Sequence, residues 1–229
     1  MQLRTLALSL LASSVTLAAC GSDNVTGTDA NNATVQFINA TATSLDVAQG
    51  GTVATGNGAL SYGTTSLCIA TDASNSNLAV RLTGTSAPLA GFTPAFQAGG
   101  NYSVIAYPGA AGAIQFATVS NAFTPSAGQG GLRVFNGAAA GTSYDVYVSA
   151  PGASSATAAA NNVGYGSGSS YFNVVAGTAQ QVRITNAGSQ SVALDVGTRT
   201  FTTGQNVTLV IAPPLTGSPA PRAFYVAGC

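Results

Sequence analysis

The chain contains no lysine, glutamate, histidine or tryptophan. Its charge consists of six basic and six acidic residues, 5% of the sequence, and the net charge is zero. Ordinary soluble proteins carry about 25% charged residues. Each absence removes a class of function. Transition-metal sites lean on histidine and cysteine, and the six aspartates show no calcium-loop spacing. No metal and no cofactor is therefore expected. A serine nucleophile usually needs histidine or lysine as its base, and no Gly-x-Ser-x-Gly elbow occurs. The expected protein is not an enzyme; a hydrolase built on paired aspartates is the remaining catalytic reading. Nucleic-acid binding needs clustered cations to displace counterions. Arg81, Arg133, Arg183, Arg199 and Arg222 are scattered singly, so that partner is excluded. Low charge does not mean disorder here, because 46% of the residues are hydrophobic.

What is present begins with an apolar N-terminal segment. Residues 1–19 carry Arg4 and an apolar stretch from about Leu6 to Leu17. That stretch is too short to span a membrane, which takes ~20 apolar residues. It ends in Leu17-Ala18-Ala19-Cys20, which resembles the lipobox of bacterial lipoproteins at all four positions. The resemblance implies cleavage before Cys20, a thioether-linked diacylglycerol and an N-acyl group. Several acyl chains anchor stably where one holds only marginally. The implied partner is a membrane reached through lipid on Cys20. Gly21 rather than aspartate follows, which by the same resemblance implies sorting to an outer membrane. The alternative is an ordinary signal peptide with an incidental cysteine. Residues 20–33 are rich in Gly, Asn, Asp and Thr and read as a flexible tether.

From Thr34 the pattern changes to short strands broken by turn residues. Leu78, Val80 and Leu82 alternate with polar positions, as do Tyr144, Val146 and Val148, and Val207, Leu209 and Ile211. Asn101–Tyr107 reads as a strand stopped by Pro108-Gly109. No apolar period of a helix is sustained after Cys20. The expected fold is all-β.

The body also contains itself twice. Val35-Gln36-Phe37-Ile38-Asn39 resembles Leu132-Arg133-Val134-Phe135-Asn136. Further matches are Leu45-Asp46-Val47 with Tyr144-Asp145-Val146, Ser61-Tyr62-Gly63 with Gly164-Tyr165-Gly166, and Val80-Arg81-Leu82 with Val182-Arg183-Ile184. Gly99 to Ile105 matches Gly204 to Val210. A unit of about 100 residues is one sandwich domain rather than a solenoid turn. The expected domains are 34–122 and 131–229, joined by a Pro/Gly/Ser linker at 123–130.

The order is an opening strand ending in Asn-Ala or Asn-Gly-Ala, then Asp-Val, then Tyr-Gly, then a late Gly-x-Asn strand. With the lipobox, this resembles bacterial envelope proteins carrying the domain of unknown function 4397. The strongest segment runs from Asn136-Gly137-Ala138 to Tyr144-Asp145-Val146-Tyr147-Val148. The resemblance implies two tandem β-sandwiches, immunoglobulin-like or transthyretin-like, in an extracytoplasmic setting. It implies no reaction.

Few residues remain as candidates. Cys68 and Cys229 either pair as a disulfide in an oxidising compartment or stay as thiols, with Cys68 buried between Leu67 and Ile69. Asp46/Arg81 and Asp145/Arg183 either form one ion pair per repeat or separately close turns and face solvent. Tyr62, Tyr147 and Tyr165 are candidate ligand contacts, since exposed aromatics suit sugars and proteins. The expected function is a lipid-anchored envelope protein that is structural, adhesive or protein-binding. The alternative is a lipoprotein that captures polysaccharide or a small ligand. The partner is an unidentified envelope protein or glycan.

Overall fold

A computed structural model describes residues 30–139, 141–153, 157–215 and 220–229. The expected leader 1–19, Cys20 and the expected tether up to residue 29 lie outside the described residues. The body is all-β. Repeat one contributes β1 (Asn32–Asn39), β2 (Leu45–Gln49), β3 (Thr52–Val53), β4 (Ile69–Asp72), β5 (Leu78–Leu82), β6 (Asn101–Pro108) and β7 (Ile114–Ser120). Repeat two contributes β8 (Gln129–Asn136), β9 (Ser143–Ser149), β10 (Ala160–Gly164), β11 (Ser167–Gly168) and β12 (Phe172–Val175). It continues through β13 (Ala179–Asn186), β14 (Val192–Thr200), β15 (Asn206–Ala212) and β16 (Arg222–Ala227).

Each repeat is a sandwich of two sheets. In repeat one the sheets run β4-β1-β6-β7 and β3-β2-β5. In repeat two they run β11-β8-β15-β16, with β12 also on β8, and β10-β9-β13-β14. The opening strand of each repeat lies parallel to its late Asn strand, β1 to β6 and β8 to β15. The remaining strand pairs are antiparallel.

Alternation along the strands fills each sandwich. Val35, Phe37, Val47, Val80 and Val104 close the core of repeat one. Leu132, Val134, Val146, Ile184 and Leu209 close that of repeat two. Several positions between them on β1, β6, β8 and β15 are apolar too, while Gln36, Ser103, Arg133 and Thr208 are buried polar exceptions. Ile38, Ile105 and Tyr107 meet Phe135, Val210 and Ala212 in a third core between the repeats. The two parallel-paired sheets therefore stack back to back and are covered on both faces. Two-sided burial is what a continuous apolar run such as Val104-Ile105-Ala106-Tyr107 encodes. Burying each large apolar side chain contributes about 1.5–3 kcal/mol. Ile38, Ile105, Phe135 and Val210 are each 0–1% exposed, so the seam is a core rather than a loose domain contact.

The boundaries differ slightly from the expected ones. Asn32 and Ala33 of the expected tether are already in β1, where Ala33 is buried. The expected linker is not slack. Gln129 and Gly130 open β8. The Asn206 amide donates to the carbonyls of Asn121 at 3.2 Å and Phe123 at 2.8 Å. The Phe123 ring stacks on Tyr171 with centroids 5.2 Å apart. Those contacts fasten the connection to repeat two.

Candidate functional site at the seam between the repeats

The recurring aspartates hold loops. Asp46 on β2 accepts from the Ala59 amide at 2.7 Å, the Thr83 hydroxyl at 3.0 Å and the Gly84 amide at 3.3 Å. Asp145 on β9 accepts from the Asn162 amide at 2.7 Å and the Gly188 amide at 2.9 Å. The donors correspond in the two repeats. Ala59 and Asn162 sit at φ 51° and 49°, in the left-handed region that costs an L-residue energy and marks a constrained turn. The Ala59 amide, ahead of the other donors, holds the Asp46 carboxyl below its ordinary value. Arg81 faces Asp46 in register but donates to the Gly51 carbonyl at 2.6 Å. Arg183 donates to the Ala153 carbonyl at 2.8 Å and to Gln181 at 2.7 Å. Aspartates close turns, as one sequence reading had it. The arginines are bonded to main chain rather than simply solvated.

The asparagine that ends each opening strand is buried. Asn39 donates to the carbonyls of Thr43 and Leu60 and accepts from Thr41. Asn136 donates to those of Thr142 and Val163 and accepts from Ala138. The Asn-Ala and Asn-Gly-Ala motifs are thus braces for the first loop.

Tyr62 and Tyr165, candidates for ligand contact, reach across to the other repeat. The Tyr62 hydroxyl donates to the Pro213 carbonyl of repeat two at 2.7 Å. The Tyr165 hydroxyl donates to the Pro108 carbonyl of repeat one. Burial raises the pKa of both phenols. Each tyrosine thus reaches the end of the other repeat's late strand, an approximate two-fold relation. The glycine after each is required. Gly166 has φ 72°, and a Cβ there would lie 2.7 Å from the Tyr107 hydroxyl. Gly63 has φ 78° against the Phe224 ring. Tyr147 stays on β9, half-buried and opposite Arg183 in register.

Cys68 and Cys229 are bonded to each other across 161 residues, with Cα atoms 5.9 Å apart. The bridge joins repeat one to the last described residue of repeat two. Cys68 is exposed rather than buried, and its neighbour Leu67 is 62% exposed.

A residue the sequence did not single out lies at the same seam. Arg133 on β8 is 3% exposed. Its guanidinium donates to the Ser120 carbonyl at 2.7 Å, the Asn121 side-chain oxygen at 2.9 Å and the Thr208 hydroxyl at 2.9 Å. Its Cζ stands 4.5 Å over the Tyr171 ring. Burial lowers its pKa, and Tyr171 opposes that shift. Arg133 borders a recess of about 320 Å³ with Ser120, Phe123, Ser169, Ser170 and Tyr171. A related recess of about 510 Å³ lies at the other end of the seam, where Gln36 takes the place of Arg133 beside Thr64, Thr65 and Tyr225. Position in the alternation was the available signal: Arg133 points to the face that Phe135 occupies, which reads as solvent until a second sheet covers it.

Among the described residues, no group of three or more His, Cys, Asp or Glu is placed to hold a metal ion. No described helix is long and apolar enough to cross a membrane. No curated protein matches the chain. A family profile described as a domain of unknown function, DUF4397, matches residues 33–147 and again residues 130–226. Two matches, each carrying the opening asparagine strand and the Asp-Val strand or its successor, span nearly the whole described body, and the chain belongs to the DUF4397 family with two copies of its domain.

Proposed function

We propose that the chain is a non-enzymatic, lipid-anchored protein of the cell envelope, probing or bracing its surroundings through a rigid pair of sandwiches. Leu17-Ala18-Ala19-Cys20 supports the anchor and the extracytoplasmic location, and Gly21 supports the outer membrane. The observation that carries the non-catalytic reading is the matched engagement of Asp46 and Asp145 on loop amides. A catalytic acid or base must exchange its proton with substrate. A carboxylate tied to two amides, at the same place in two domains, is instead a turn clamp. The body then acts as a structural, adhesive or protein-binding module.

The test is Cys20→Ala in the full-length chain. Release from the membrane fraction with an unchanged melting temperature is expected. Retention in that fraction counts against the lipid anchor. Asp46→Asn and Asp145→Asn test the second half, with lowered stability and unchanged partner recovery expected from envelope extract. A second reading, capture of a small ligand or polysaccharide, is favoured by the recess at Arg133.

A further inference from the structure

The edges of the sheets are unequally protected. An edge strand presents main-chain donors and acceptors to any strand that meets them, and proteins blunt such edges with charge, proline, bulges or short length. β14 carries Asp195 and Arg199, and Gly197 turns its backbone to φ 87°. β16 begins at Arg222, and Arg199 lies 4.4 Å over its Tyr225 ring. β5 is covered where the Leu89 amide donates to the Val80 carbonyl beside Pro88. β10 is bulged between Ala160 and Val163, and β4 is short and ends on Asp72. β7 has none of these guards. Its 7 residues, Ile114-Gln115-Phe116-Ala117-Thr118-Val119-Ser120, carry no charge and no proline. They pair with β6 without a shift of register.

Antiparallel pairing fixes which groups of β7 face outward. The Asn121 amide donates to the Asn101 carbonyl at 2.7 Å. Hydrogen-bonded pairs alternate along such a ladder, so Val119, Ala117 and Gln115 also turn their main chain to β6. Ile114, Phe116, Thr118 and Ser120 turn theirs away. The Ser120 carbonyl accepts from Arg133 at 2.7 Å, which agrees with the alternation and closes one end of the edge. Gly112, at φ 79°, turns the chain at the other end. Among the described residues, no hydrogen bond reaches the outward amides and carbonyls of Ile114, Phe116 and Thr118. The open stretch is therefore centred on Phe116.

We propose that this edge is a self-association site, where β7 of a second copy of the chain pairs antiparallel with β7 about a two-fold axis at Phe116. That register sets Phe116 opposite its counterpart and Ile114 opposite the second copy's Thr118. Every outward amide and carbonyl from Ile114 to Thr118 then finds a mate. Phe116 gains a cross-strand aromatic pair on the face where Ile114 and Phe116 already pack, partly buried, against the core of repeat one. No like charges meet on the strand, and the zero net charge removes long-range repulsion between copies. A second copy is the occupant because Gly112 and Ser120 bound the stretch evenly about Phe116. An edge centred in this way is complementary to itself, as an isologous interface requires. Repeat two supplies the contrast. Its equivalent of Thr118 is Tyr225, which lies under Arg199, so the same strand is guarded there. The pairing does not depend on the lipid anchor.

The test is sedimentation velocity of the full-length chain in detergent over a range of concentrations, with hydrogen exchange read amide by amide on the ¹⁵N-labelled chain. A monomer–dimer equilibrium is expected, with protection of the Ile114, Phe116 and Thr118 amides rising with concentration. Thr118→Pro removes an outward donor from each copy and leaves the bonds to β6 in place, because an edge strand accommodates proline where its N–H side faces solvent. It is expected to weaken the dimer at least about tenfold with the monomer's melting temperature unchanged. Thr118→Lys, at an exposed position, blunts the edge without altering the main chain and is expected to weaken the dimer too. Thr118→Val keeps the outward amide and is expected to associate as the native chain does. A monomer at every concentration, or a dimer equally strong in the proline and lysine variants, would overturn the proposal. Protection of these amides only after envelope extract is added would identify a different protein as the strand donor and overturn the second-copy assignment.

Discussion

The two repeats share a frame and differ around it. Both clamp their turns with an aspartate, brace the first loop with a buried asparagine, and send a tyrosine to the partner's late strand. Their second sheets differ. Repeat two completes its sheet with β14, nine residues paired along β13. In repeat one the corresponding region, after β5, makes only an isolated bridge from Arg81 to Pro88. Cys68 also stands where repeat two has Tyr171, two residues beyond the serine that each repeat bonds to its opening strand (Ser66 and Ser169). A bridge holds one side of the seam and an arginine on an aromatic ring holds the other. The frame is thus set by hydrogen bonds that repeat. The outer sheets and recess walls are where the copies have diverged.

The comparison breaks most readily at the shared seam. Phe135→Ala is expected to cost about 3–5 kcal/mol and its counterpart Ile38→Ala about 2–5 kcal/mol. Because each face covers the other, urea unfolding followed by fluorescence and circular dichroism should remain one transition in both variants. Two separated transitions would show that the repeats fold independently. Removing the bridge by Cys68→Ser with Cys229→Ser should cost about 2–5 kcal/mol. Denaturation of the native chain with and without reductant should reproduce that loss.

Asn39→Ala and Asn136→Ala compare the two braces. Each leaves two loop carbonyls without their donor, and an orphaned buried group costs about 1–3 kcal/mol. Similar losses from thermal melts are expected; a neutral result in one repeat would break the equivalence. The smallest effect concerns Tyr225, whose repeat-one counterpart Thr118 is exposed. Burial pushes the Tyr225 phenol up from 10.0 to about 12, with Arg199 opposing. The folded state therefore keeps its proton longer than the unfolded chain. Its contribution to stability is full below pH 10 and is lost as pH rises from 10 to about 12. Its hydroxyl is also buried without a partner. Tyr225→Phe should therefore stabilise by about 1 kcal/mol and flatten the alkaline limb of a stability–pH curve.

Much of each sandwich was legible in the sequence. Alternation in Leu78-Ala79-Val80 and in Val207-Thr208-Leu209 encodes strands with a buried side, and the ordered matches encode two copies. The candidate site was less legible. Tyr62 and Tyr165 were visible as a repeating pair, but their direction depends on Pro213 and Pro108, which lie in the opposite repeat. Alternation sets Arg133 on the opposite face from Leu132 and Val134, but periodicity distinguishes two faces of a strand without saying what covers the second.

The sequence by itself determined the all-β class and the duplication, since these depend on local pattern and composition. Tertiary structure decided the seam: which faces meet, that Cys68 reaches Cys229, and that Arg133 is enclosed and bonds the Ser120 carbonyl, Asn121 and Thr208. The physical reason is distance along the chain. Those contacts join residues from different repeats, and no local preference specifies how two sandwiches will stack.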